Sequence, residues 1–255
     1  MKRRALAALL ACVPLLPGAA ADGFAPPDES FYAIGRYVYE RNCLVCHGRW
    51  GDGDGELSKG MIPKPRKFSA GIFKYRNTPP GFLPTTDDLI RTIRGGRANT
   101  SMPYFAQLSD REVRAVAEFI KFFSPKWRQP ENFAAPVKLP DAPDWLADTA
   151  PTMERAAKGK TTFALACVSC HGELADGKGP ALADLKDAWG DPAQPADLRQ
   201  PAFRNGRTPA DIFRVLTLGI HGTPMASFAE TLTAEQRWEL AAFVGTLRPP
   251  TTARK

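Results

Sequence analysis

In the first half of the chain, apolar side chains recur at helical spacing in three stretches. Ile34, Val38 and Tyr39 mark one face of a helix expected over Phe31 to Asn42, with charged residues opposite and Ser30 as its cap. Leu89, Ile90 and Ile93 mark a second helix, starting at Thr86 or Asp87 and stopping at Gly95-Gly96. Val113, Val116, Ala117 and Ile120 form the stripe of a third, announced by the capping box Ser109-Asp110-Arg111-Glu112. That stripe is expected to pack on the first helix. Gly35 lies on the same side of that helix as Tyr39 and Cys43, where a missing side chain lets another element come close. Residues 57 to 86 are loop-rich, broken by Pro63, Pro65, Pro79, Pro80 and Pro84. Pro125, Pro130, Pro136, Pro140 and Pro143 make 124–150 an extended linker, laid along the domains through Phe133, Trp145 and Leu146.

The pattern then starts again. Gly159, Phe163 and Cys167 repeat Gly35, Tyr39 and Cys43, and Gly172, Asp176, Gly177 and Gly179 repeat Gly48, Asp52, Gly53 and Gly55, all at an offset of 124. Asp211 to Arg214 match Asp88 to Arg91 at an offset of 123, and Gly219 matches Gly96. Thr223-Pro224-Met225 falls on Thr100-Ser101-Met102, and Thr233 to Gln236 falls on the capping box at 109–112. Self-similarity of this kind means two copies of one unit. The expected division is a domain at 22–123, the linker at 124–150, a domain at 151–248 and a tail at 249–255.

The start of the sequence has a different character. Lys2-Arg3-Arg4 precedes a mostly apolar run from Ala5 to Leu16, and Ala19-Ala20-Ala21 offers a small-residue cleavage site. Residues 1–21 therefore read as a secretory signal peptide, which places the mature protein in the periplasm. Pro14 and Pro17 interrupt the run, and nothing later approaches the ~20 apolar residues that span a bilayer. Leu9-Leu10-Ala11-Cys12 is an imperfect lipoprotein box, so the alternative is a lipid anchor at Cys12. The formal charge of +7 drops to +4 once Lys2, Arg3 and Arg4 leave with the leader. No nucleic-acid motif accompanies it, and the charges read as a mixed surface with patches for a redox partner. The basic residues of 64–76 are the expected docking patch.

The chemistry sits in Cys43-Leu44-Val45-Cys46-His47 and Cys167-Val168-Ser169-Cys170-His171. In an exported protein the motif C-x-x-C-H is a site of covalent haem attachment: two thiols add to the haem vinyl groups and the histidine binds iron. Half a zinc site or a redox dithiol is the alternative. The five cysteines are these four and Cys12, which leaves none for a structural disulfide. The Gly/Asp loop at 48–55 resembles a calcium loop but lacks the glutamate at the closing position and two flanking helices. Met102 and Met225 lie in loops from which a thioether can reach iron on the face opposite His47 and His171; packing in the core is the other use of such a residue. Met61 rivals Met102, and the repeat favours Met102 because Met225 is the only methionine after the second motif. Lys64, Arg66, Lys67, Lys74 and Arg76 include possible partners for haem propionates. His221 is the one histidine outside the motifs and aligns with Ala98. It reads as a surface loop histidine titrating near neutrality, or as a replacement ligand for Met225.

A helix ending in C-x-x-C-H-G, a helix before a methionine loop and a C-terminal helix together resemble a class I c-type cytochrome, here in tandem across residues 28–248. The resemblance implies an all-α fold of two cytochrome c-like domains, each wrapped round one covalent haem c with histidine and methionine on its iron. Phe73 to Pro79 and Leu83-Pro84-Thr85 also resemble cytochrome subunits of periplasmic oxidoreductases and respiratory chains. In the family a proline carbonyl commonly accepts from the ligating histidine; Pro180 stands at that position in the second half and Glu56 in the first, so the two haems are expected to differ. With both axial positions filled, the implied role is an electron carrier, as a shuttle or as a subunit of a larger complex, with redox proteins as partners. The alternative is a dihaem enzyme, peroxidase-like or thiosulfate-oxidising, with one open or differently ligated iron; His221 and residues 57–86 are the features that leave room for it.

Overall fold

The computed structural model describes residues 28–201, 206 and 208–248. The expected signal peptide at 1–21, Cys12 within it and the tail at 249–255 lie outside the described residues. The fold is all-helical, with no β-strand among the described residues.

In the first half, helix α1 covers Glu29–Asn42, α2 is the short turn Leu44–His47, α3 covers Thr86–Gly95 and α4 covers Asp110–Lys121. The cap of α1 is Asp28 and not Ser30: the Asp28 carboxylate accepts from the Phe31 amide at 2.8 Å, and the Ser30 hydroxyl donates to the same carboxylate. Ionised oxygen is the stronger acceptor for the free amides of a helix start, so the helix begins at Glu29, ahead of Phe31. Helices α3 and α4 carry full capping boxes, Thr85 with Asp88 and Ser109 with Glu112. A side chain at Gly35 would overlap the Ala115 carbonyl of α4, so α1 and α4 meet backbone to backbone as the glycine foretold. Val38, Tyr39, Val113, Val116 and Ile120 fill the contact.

The second half repeats this with α5 at Thr149–Ala166, α6 at Val168–His171, α7 at Pro209–Leu218 and α8 at Ala234–Thr246. Gly159 of α5 meets the Glu239 carbonyl of α8. The cement differs between halves. Tyr32 packs on Phe119 and Phe122 across α1 and α4, whereas Arg155 of α5 pairs with Glu235 and Glu239 of α8.

Residues 124–150 are more structured than an extended connector. They hold 3₁₀ turns at Pro125–Arg128, Pro130–Asn132 and Asp144–Ala147. Trp127 is 1% exposed and packs edge-on against Phe73 and Phe133, which makes it part of the first core. Trp145 and Leu146 pack on the second. Prolines forbid a long helix but suit the first position of a short turn, which is where Pro125 and Pro130 stand. For the same reason Pro151 is accommodated in the first turn of α5. Among the described residues no helix is long and apolar enough to cross a membrane.

Candidate haem sites

Each C-x-x-C-H motif hangs from the end of a long helix. The Cys43 amide still bonds to the Tyr39 carbonyl at 2.9 Å, and α2 starts directly after it. Gly48 then stops α2 with a φ of 79°, and Gly172 stops α6 with a φ of 78°. A side chain is disfavoured at that angle, which accounts for a glycine after both histidines. In the first half the buried Tyr39 hydroxyl donates to the Gly48 carbonyl at 2.7 Å and ties the motif back to α1. Phe163, the equivalent residue, has no hydroxyl to do so.

His47 Nδ1 lies 3.1 Å from the Arg66 carbonyl, and His171 Nδ1 lies 3.2 Å from the Ala196 carbonyl. Glu56 and Pro180, the positions expected from the sequence, are therefore not the acceptors. Glu56 opens a 3₁₀ turn, and the backbone needs the further excursion to 66 or 196 before it returns beneath the imidazole. Both acceptors directly follow a proline, Pro65 and Pro195, so the two sites agree where an asymmetry was expected. With Nδ1 as donor, Nε2 carries the lone pair and is free to bind a metal. Phe68 stacks on His47 at 4.4 Å and fixes the ring plane. Burial pushes the His47 pKa down to about 4 and lowers that of His171, which favours the neutral imidazole in both.

Cys43, Cys46, His47 and Met102 all line one cavity of about 1210 Å³, mouth included. Cys167, Cys170, His171 and Met225 line another of about 1630 Å³. Both walls are mainly apolar. The two methionine loops share one hydrogen-bond frame. The Met102 amide donates to the Thr100 hydroxyl at 3.1 Å and the Met225 amide to the Thr223 hydroxyl at 3.3 Å. The Arg97 amide donates to the Met102 carbonyl at 3.0 Å, and the Ile220 amide to the Met225 carbonyl at 2.8 Å. Met61 lines the first cavity as well, so that cavity offers two thioethers.

None of the four motif cysteines forms a disulfide. Burial pushes Cys43 up to about 12 and Cys167 up to about 11. A redox dithiol or a thiolate zinc site wants the opposite shift. A pair of cysteines beside an imidazole with a free Nε2, in an apolar cavity of this size, fits a covalently bound haem.

The basic run 64–76 is not a free docking face. The Arg66 guanidinium lies 4.1 Å from the Trp189 ring of the second half, and Lys64 pairs with Asp191 at 2.8 Å. Arg76 is buried and bonds to the carbonyls of Pro79 and Leu218. Arg66, Lys64 and Lys74 line the first cavity, as does Arg97, which the sequence did not single out. Nothing in a repeat pattern marks Arg97, because its counterpart Ile220 is apolar. His221 is half-buried with its Nδ1 unpartnered, and desolvation, helped by Arg76, Lys126 and Arg66, lowers its pKa to about 4. It is thus no surface histidine titrating near neutrality, and it is absent from the wall of the second cavity.

A family model described as cytochrome c oxidase, cbb3-type, subunit III matches residues 31–120 and again 154–244. Among solved structures, one protein of the reducing HAO-like protein complex of Kuenenia stuttgartiensis is 36% identical, with a TM-score of 0.76 over 85% of this chain and 96% of that one. No curated protein matches the sequence.

Proposed function

Since the protein belongs to the cytochrome c family typified by subunit III of cbb3-type cytochrome c oxidase, and carries two such domains in tandem, we propose that it moves single electrons between redox proteins of the periplasm. The observation that carries this reading is the repeated cavity, in which one C-x-x-C-H motif and one methionine loop share a wall in each half. When bound, the haem supplies the one-electron chemistry. The residues that would hold it are Cys43 and Cys46, or Cys167 and Cys170, through thioether bonds, with His47 or His171 through Nε2 and Met102 or Met225 through sulfur as the iron ligands. A methionine opposite a histidine raises the potential and closes the iron to substrates, which suits a carrier better than an enzyme.

The test is a visible spectrum of the mature protein, oxidised and reduced, with a haem-to-protein ratio. Two low-spin c-type haems are expected. One high-spin haem, or rapid cyanide binding to one iron, would replace the carrier with a dihaem oxidoreductase.

The likeness to a member of a multi-protein complex favours a finer reading, an electron-transfer subunit over a free shuttle. Gel filtration of the native extract checks it. Elution with a second redox protein is expected, and elution as a lone polypeptide would select the shuttle.

A further inference from the structure

A third cavity, polar in character, lies between the halves. Lys74, Arg76, Arg91 and Arg97 of the first half and Arg214 of the second line it, against the carboxylates Asp88 and Asp211. Those two carboxylates are already committed. Asp88 accepts from the amides of Asn77 and Thr85 at 2.9 and 3.0 Å and faces Arg91 at 3.5 Å. Asp211 takes the Thr208 hydroxyl and the Arg214 guanidinium, both at 2.8 Å. Cations therefore outnumber anions around the space.

Arg76 is the buried one among them, 6% exposed. Its Nε donates to the Pro79 carbonyl at 3.1 Å and its Nη2 to the Leu218 carbonyl at 3.4 Å, and its Nη1 has no partner. Asp88 is near enough to act on it electrostatically but leaves Nη1 unpaired; a buried guanidinium N–H without an acceptor is costly, and carboxylate is the group whose fork matches it. The cavity is continuous in its walls with both haem sites. Lys74 and Tyr75 line all three spaces, Arg97 is shared with the first haem cavity, and Asp211 and Val215 with the second.

We propose that this space between the halves is a carboxylate site anchored by Arg76, and that it receives the propionate groups of the haems held in the adjoining cavities. The proposal rests on the dihaem reading. A free carboxylate or phosphate from solution has the same chemistry, and the experiment separates the two sources.

The experiment uses the full-length holoprotein with Arg76→Gln and Arg76→Lys. A haem-to-protein ratio and spectrum come first: wild-type protein without two haems would sink the dihaem reading itself, before this site is addressed. With both haems retained, Arg76→Gln should lower at least one midpoint potential, because losing a nearby cation favours the ferric state. The pH dependence of that potential should move to higher pH, because a carboxylate stripped of its cation is easier to protonate. Arg76→Lys should restore both. Unchanged potentials and pH profile in Arg76→Gln would overturn the proposal. Calorimetric titration of wild type with inorganic phosphate and acetate at low salt should show no binding; saturable binding that Arg76→Gln abolishes would also overturn it, by giving the site to a free anion. If Arg76→Gln fails to retain haem, Arg214→Gln on the opposite wall carries the same expectations and the same overturning result.

Discussion

Arg66 and Trp189 join the two halves: the guanidinium of the first lies 4.1 Å from the ring of the second, and the backbone carbonyl of the same Arg66 accepts from His47 Nδ1. One residue therefore orients the His47 imidazole of the first site and rests on the second half. A cation stacked on an indole is worth about 0.5–2 kcal/mol, more as it is withdrawn from water, and Arg66 is partly withdrawn. Trp189→Leu should lower stability by roughly 1–2 kcal/mol on that basis. Denaturant unfolding followed at a haem band measures it, and an unchanged midpoint would mean that the stack does not hold the halves together.

The helix crossings depend on two glycines. Gly35→Ala or Gly159→Ala would push a methyl into a carbonyl of the facing helix. Overpacking of this kind costs roughly 1–3 kcal/mol. Gly245→Ala in α8 is the control, since nothing lies within 4 Å of its added Cβ. There helix propensity alone acts, and a gain of about 0.5–1 kcal/mol is expected. Thermal unfolding of the three variants should give two losses and one gain. A loss at Gly245 would show that the crossings are not what sets the sign.

The thioether of Met102 is distinguished from that of Met61 by spectroscopy. Met102→Leu and Met225→Leu should each remove half of the methionine-to-iron charge-transfer absorption and lower one midpoint potential. Met61→Leu should leave both unchanged. Loss of the band in Met61→Leu would transfer the first site to Met61.

His221 gives a pH dependence whose sign follows from its burial. Its pKa is depressed from the ordinary 6.5 to about 4, so between those values the unfolded protein binds the proton more readily than the folded one. Stability contributed by the neutral imidazole is complete above about pH 6.5 and is lost as the pH falls towards about 4. His221→Gln should therefore narrow the difference in unfolding midpoint between pH 7 and pH 5. An equal difference in both proteins would mean that His221 is protonated alike, folded and unfolded.

Much of this was legible in the order of residues. The C-x-x-C-H motifs, the glycines at 35 and 159, the capping boxes and the methionine loops are local or periodic signals, and each reports on its own turn or face of a helix. They determined the helices, the pairing of α1 with α4 and the two copies of the unit. The start of α1 moved from Phe31 to Glu29 because Asp28 outcompetes Ser30 for the same amides. What tertiary structure decided is everything that joins residues far apart. The acceptors for His47 and His171 are carbonyls 19 and 25 residues on, and a carbonyl belongs to every residue, so no side chain advertises it. The basic run 64–76 looked like surface because charge is legible and burial is not. Packing against Trp189, Asp191 and Leu218 turned Arg66 and Arg76 inward, and only that packing creates the polar space between the halves. A repeat shows what each copy does alone; how two copies meet is written in residues that the repeat does not share.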